Sequence, residues 1–121
     1  MSARQTVEKW VTAFNHKDTA LLESLYAEDA VNHQMPFEPL TGRTAIGEMF
    51  GREFSIAPEM FCMPVQIIEE NNWAVLEWID PKGFRGCGFF HIINGLIQTQ
   101  RGYWDRMMFN KLYNIQHEEM R

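Results

Sequence analysis

The hydrophobic period of this chain changes once, near Met60: helical spacing before it, alternation after it. A single switch of this kind gathers helices early and strands late, which is the pattern of an α+β fold. Val7, Trp10, Val11 and Phe14 make one face of a first helix that ends near Asn15-His16. Asp18 is placed to cap a second, shorter helix carrying Leu21, Leu22, Leu25 and Tyr26. Ala30 to Met35 reads as a short strand, followed by a loop at Pro36 and Pro39. A third helix follows Gly42-Arg43-Thr44, with Ile46, Met49, Phe50 and Phe54 inward. Gly47 and Gly51 inside it each cost about 1 kcal/mol relative to alanine, a cost that close packing against a neighbour would explain.

Beyond Met60 the chain reads as four strands in a meander: Met60 to Ile68, Trp73 to Ile79, Phe84 to Ile93 and Leu96 to Phe109. Glu69-Glu70-Asn71-Asn72 and Pro81-Lys82-Gly83 supply turns, and Asn94-Gly95 is the strongest hairpin signal because both residues tolerate positive φ. Gly86, Gly88 and Gly102 mark bends within the late strands. The expectation is one domain over residues 1–121, three helices packed in a curved antiparallel sheet that closes into a cone with an internal pocket. The tail from Asn110 to Arg121 reads as a short terminal helix.

A net charge of −5 argues against a surface that holds a nucleic-acid backbone. The start lacks the apolar stretch of a secretory signal, and no run is long enough to span a bilayer, so no membrane and a cytoplasmic location are expected. Cys62 and Cys87 have no metal or redox spacing and read as buried free thiols. His16, His33 and His117 lack partners at ligand spacing, so no metal and no cofactor are expected. Arg101 and Arg106 read as solvated or paired on the sheet rather than as anion ligands.

The run Tyr26-Ala-Glu-Asp-Ala-Val-Asn-His-Gln-Met-Pro, then Gly42-Arg43-Thr-Ala-Ile, Asn94-Gly95 and Arg101-Gly-Tyr-Trp-Asp105, resembles the SnoaL-like branch of the nuclear-transport-factor-2-like superfamily. Within it the chain is most similar to limonene-1,2-epoxide hydrolase. That family sets an arginine between two aspartates, one the base for water and the other the acid toward the epoxide oxygen, with a tyrosine and an asparagine beside them. The resemblance places its Tyr-x-Asn on Asn32-His33-Gln34 and its Arg-x-Asp on Trp78-Ile79-Asp80. Its last aspartate falls on Gly102. One carboxylate is kept, while the arginine has become an indole and the second carboxylate is absent, so familial epoxide hydrolysis is not expected. Polyketide cyclases of the SnoaL type use an aspartate at that same last-strand position.

Strand alternation puts Leu76, Trp78 and Asp80 on the pocket face, with Gln98, Gln100, Gly102 and Trp104 from the last strand, and Asn32 and Gln34 from the first. Phe90 joins them as an apolar wall. Two roles stand open for Asp80: a hydrogen-bond acceptor for the Pro81-Lys82-Gly83 turn, or the sole acid/base group of the pocket. Three functions are consistent with these residues. One is a binding protein for an apolar, ring-shaped ligand of polyketide, terpenoid or aromatic type. Another is an isomerase, lyase or hydrolase built on Asp80. The third is a protein-protein adaptor. Phe89, His91 and Tyr103 fall on the opposite, convex face, where an aromatic surface predicts a homodimer.

Overall fold

The computed structural model describes residues 1–115. Helix α1 (Ala3–Asn15) starts at Ser2, whose side chain accepts from the Gln5 backbone N–H while the Gln5 side chain accepts from Ser2. Helix α2 (Thr19–Ser24) is capped by Asp18, which accepts from Leu21 N–H at 3.0 Å. Leu25 ends α2 and β1 (Tyr26–Gln34) begins at once. A short strand β2 (Leu40–Thr41) leads into helix α3 (Arg43–Ile56). Strands β3 (Met63–Glu70), β4 (Trp73–Ile79), β5 (Arg85–Ile93) and β6 (Leu96–Trp104) then form the meander, and α4 (Arg106–Tyr113) follows.

The single six-stranded sheet runs β2-β1-β6-β5-β4-β3. It is mixed rather than antiparallel throughout, because β1 pairs with β6 in parallel. Alternation along a strand fixes its faces and carries no sign of its direction. Direction here is set by α2, which delivers the chain to β1 with one intervening residue and leaves it beside the last strand of the meander.

Several boundaries differ from the sequence reading: β1 ends at Gln34, β5 starts at Arg85, and β2 is a strand in the stretch read as a loop. Tyr26 opens β1 instead of closing α2, and β3 starts at Met63 instead of Met60. Strand β6 stops at Trp104, because the Asp105 carboxylate accepts from Met108 N–H and starts α4. The expected terminal helix therefore begins earlier, and residues 116–121, His117 among them, lie outside the described residues. At the Asn94-Gly95 turn both residues do adopt positive φ, 51° and 78°. Of the two glycines in α3, only Gly47 makes a close approach: a Cβ there would meet Glu23 Oε1 at 2.3 Å, whereas nothing lies within 4 Å of one at Gly51.

Val7, Trp10 and Val11 of α1 and Ile46, Met49, Phe50 and Phe54 of α3 are buried against Leu76, Phe90, Ile92 and Ile97 of the sheet. Fully burying a side chain of this size contributes about 1.5–3 kcal/mol. The helices thus cover one face of the sheet and leave the other to solvent. A bulge in β6 pairs Ile92 with Ile97 and His91 with Thr99, which skips Gln98. Ile97 therefore joins Gln100 on the covered face, and Gln98 turns out to donate to Asp29 at the surface, 3.1 Å away. This corrects the expected alignment of Gln98 with the pocket residues.

Candidate functional site

Between the covered sheet face and helices α1 and α3 lies a partly open cavity of about 90 Å³. Its walls are largely aromatic: Trp10, Phe14, Phe50, Phe61, Trp78, Phe84, Phe90, Trp104 and Phe109. An apolar cavity of about 150 Å³ suffices for benzene, so this one suits at most a single small ring unless side chains yield.

Two glycines create the space in which its key side chains lie. Trp78, Gly86 and Trp104 are register neighbours across β4, β5 and β6. A Cβ on Gly86 would fall 2.3 Å from the Trp78 ring and 2.8 Å from the Tyr103 carbonyl oxygen, so the indole can occupy its place only over glycine. Gln34 pairs in register with Gly102, and a Cβ there would fall 1.9 Å from Gln34 Oε1. The amide of Gln34 thus fills the volume that a side chain at position 102 would take.

That amide belongs to a continuous hydrogen-bonded row. Trp104 Nε1–H donates to Gln34 Oε1 (2.8 Å), Gln34 Nε2–H to Asn32 Oδ1 (2.7 Å), and Asn32 Nδ2–H to Gln100 Oε1 (3.1 Å). From the other side Trp10 Nε1–H donates to Tyr26 Oη (2.9 Å), and the Tyr26 hydroxyl donates to the same Gln100 Oε1. Asn32 and Gln100 are buried. Burial pushes the Tyr26 phenol far above its usual range, so the whole row stays neutral in water at ordinary pH.

Gln34, Trp78, Phe90, Gln100, Gly102 and Trp104 line the cavity, as does Asp80. Asn32 does not. It sits behind Gln34 and Gln100 and holds them, which corrects its placement on the wall. Trp10, Tyr26 and Glu53 were missed. Trp10 and Tyr26 read as apolar helix residues in sequence, and Glu53 falls outside the apolar pattern of α3; no signal in one sequence marks them as site residues.

Asp80 holds the turn and also reaches the cavity. Its carboxylate is buried, reaches the cavity, and accepts from Lys82 N–H (2.9 Å) in the turn, from Phe61 N–H (3.1 Å) and from the Tyr113 hydroxyl at 2.6 and 2.7 Å. Three segments far apart in sequence are tied to one carboxylate. Tyr113 in turn is raised well above the usual phenol range, by burial first and then by its bond to Asp80.

Cys62 is buried on the cavity wall, while Cys87 is only half-buried, unlike the expectation for both. Among the described residues no group of three His, Cys, Asp or Glu side chains is arranged to hold a metal ion. No described helix is long and apolar enough to cross a membrane. On the outer sheet face Arg101 lies over the rings of Trp73 (5.0 Å) and Phe89 (5.2 Å), His91 stacks on Trp73 and Tyr103 packs on Phe89. Arg106 lies over Phe37 at 4.7 Å. The two arginines are therefore stacked on aromatic faces rather than simply solvated.

The Cys62 thiol gives a pH prediction. Burial, and secondarily the charge of Asp80, push it up to about 12 from an ordinary 9.0. Below about pH 9 both folded and unfolded chains keep the proton, and between about pH 9 and about pH 12 only the unfolded chain releases it. Stability therefore falls with rising pH across that window. Cys62→Ala is expected to lose less stability than the native chain between neutral pH and about pH 10.5 in denaturant titrations, since the other alkaline groups cancel in the difference.

The model of the SnoaL-like domain matches residues 7–100. No curated protein matches. Among solved structures, an LEH-like epoxide hydrolase of M. tuberculosis is similar at 20% identity, with 93% of this chain and 90% of that chain covered and a TM-score of 0.73. TerC, co-crystallised with polyporic acid, is similar at 13% identity, 93% and 98% coverage and a TM-score of 0.79. An NTF2-like protein of unknown function from Cytophaga hutchinsonii is similar at 17% identity, 90% and 96% coverage and a TM-score of 0.77. At these identities the likeness is one of fold. With its helices set against a curved mixed sheet and a family match over most of its length, this chain belongs to the SnoaL-like domain family, of nuclear-transport-factor-2-like fold.

Proposed function

We propose that this is a cytoplasmic small-molecule-binding protein whose cavity takes an apolar, ring-shaped ligand of polyketide, terpenoid or aromatic type. One observation carries the reading. Along one wall of the cavity, through Trp10, Gln34, Gln100 and Trp104, runs a row of amides, a phenol and indole N–H groups in which no member changes protonation near neutral pH. General acid-base catalysis needs a group that takes a proton and one that gives it. Flat indole and phenyl faces, by contrast, suit a ring. The similarity to TerC and to an epoxide hydrolase fits a pocket fold that receives small organic molecules.

A second reading keeps Asp80 as acid or base, because its carboxylate does reach the cavity. Its three hydrogen-bond donors instead favour a holding role: they fix the carboxylate between the turn, the Phe61 segment and α4. The two readings part on one comparison. Native protein and Asp80→Asn are assayed on a panel of epoxides, enones and polyketide-like rings, while tryptophan fluorescence reports binding through Trp10, Trp78 and Trp104. The binding reading expects a fluorescence change with at least one ring class and no turnover. It also expects Asp80→Asn to lose about 2–3 kcal/mol of stability, since hydrogen bonds to a charged acceptor weaken. Turnover by the native chain that Asp80→Asn abolishes would establish the enzyme instead.

A homodimer through the outer sheet face belongs to the same proposal. Ile68 and Tyr103 are 53% and 41% exposed there, beside Val75, Phe89 and the stacked Trp73-His91 pair. So much apolar and aromatic surface is unusual in water. Light scattering at micromolar concentration is expected to give twice the chain mass, and Tyr103→Lys to give the single mass. A monomeric native chain would contradict it and leave the adaptor reading, in which another protein covers that face.

A further inference from the structure

Resting on the pocket reading, we infer that the ligand carries a neutral acceptor oxygen, of ketone, quinone, lactone or ether type, and that the side-chain NH2 of Gln100 receives it.

The polarity of the hydrogen-bonded row is fixed from its Trp104 end. An indole N–H donates and never accepts. Trp104 stands at one end, so the atom of Gln34 facing it at 2.8 Å must be the oxygen. The nitrogen of Gln34 then faces Asn32, whose oxygen must meet it at 2.7 Å. The Asn32 nitrogen is left for Gln100, whose oxygen must accept it at 3.1 Å. Trp10 stands at the other end and donates to the Tyr26 oxygen at 2.9 Å, and the Tyr26 hydroxyl donates to Gln100 as well. The chain from Trp104 demands the oxygen of Gln100, since reversing it would point two donors at each other, and the Tyr26 hydroxyl, which can donate or accept, donates to that same oxygen.

The consequence falls on the remaining half of that amide. Gln100 is 4% exposed and lines the cavity, and among the described residues its nitrogen has no acceptor. That nitrogen is not among the fully enclosed polar atoms left without a partner, so it opens on the cavity, where it can donate to an acceptor that enters. A ligand oxygen is such an acceptor, and the amide cannot turn to offer its own oxygen instead.

Charge narrows the class. The carboxyl-bearing side chains Glu53 and Asp80 line the cavity, and among the described residues no Lys, Arg or His does. A carboxylate ligand would enter without a counter-charge, so the acceptor is a neutral oxygen. The cavity volume of about 90 Å³ limits it to one small ring.

Four probes of one shape test this on the native, nitrogen-15-labelled protein: cyclohexanone, methylenecyclohexane, cyclohexanecarboxylate and cyclohexylammonium. Cyclohexanone is expected to bind about tenfold more tightly than methylenecyclohexane, the scale of one buried hydrogen bond. It alone is expected to move the side-chain NH2 resonance of Gln100, and Gln100→Met is expected to bind ketone and alkene equally. If that variant does not fold, the resonance of the native protein decides. Equal binding of ketone and alkene with an unmoved Gln100 signal overturns the inference and leaves the pocket reading intact. No binding by any of the four overturns both. Tightest binding of cyclohexylammonium overturns the inference in favour of a cation held by the aromatic walls and carboxyl groups.

Discussion

Two chains of hydrogen bonds meet at the carbonyl oxygen of Gln100, and much of the site depends on that meeting. Each begins at an indole that can only donate, one on α1 and one at the end of β6. The row therefore joins the first helix to both β1 and β6, and does so with buried polar groups whose loss of water must be repaid by mutual bonding. Removing any member would strand its neighbours. A network of this kind holds a unique arrangement of the core while making the pocket neutral.

The glycines explain how such a row fits where the family resemblance would place charges. Trp78 lies over Gly86, and Gln34 lies over Gly102. Each glycine and the side chain over it are coupled by volume. With Gln34 Oε1 only 1.9 Å from where a Gly102 Cβ would be, a side chain at Gly102 and the present Gln34 exclude each other. A carboxylate introduced by a single substitution at Gly102 would displace the row that occupies its space. Asp80, the carboxylate that remains, is engaged by three segments and serves as their tie.

Much of this was legible in the chain itself. The period change near Met60 separated helices from strands, and Asn94-Gly95 marked its hairpin because that turn requires positive φ at both residues. Alternation placed Leu76, Trp78 and Asp80 on one face, and Gln100, Gly102 and Trp104 on another strand's, because no bulge interrupts those stretches. It failed at Gln98, where a bulge does. It was also blind to strand direction, so the parallel pairing of β1 and β6 went unseen. Tyr26 continues a helical run of leucines in sequence, and only the early stop of α2 turns its hydroxyl toward Gln100. The roles of Trp10 and Asn32 arise from contacts across 16 and 68 positions of chain, which local patterns do not encode.

The direction of the hydrogen-bonded row is the claim on which the rest turns, and hydrogen positions test it without recourse to any ligand. Neutron diffraction from deuterated crystals locates them directly. The account expects deuterium on Tyr26 Oη directed at the Gln100 oxygen, with the Gln100 ND2 group facing the cavity. A Gln100 oxygen facing the cavity, with its nitrogen turned toward Tyr26 and Asn32, would contradict it.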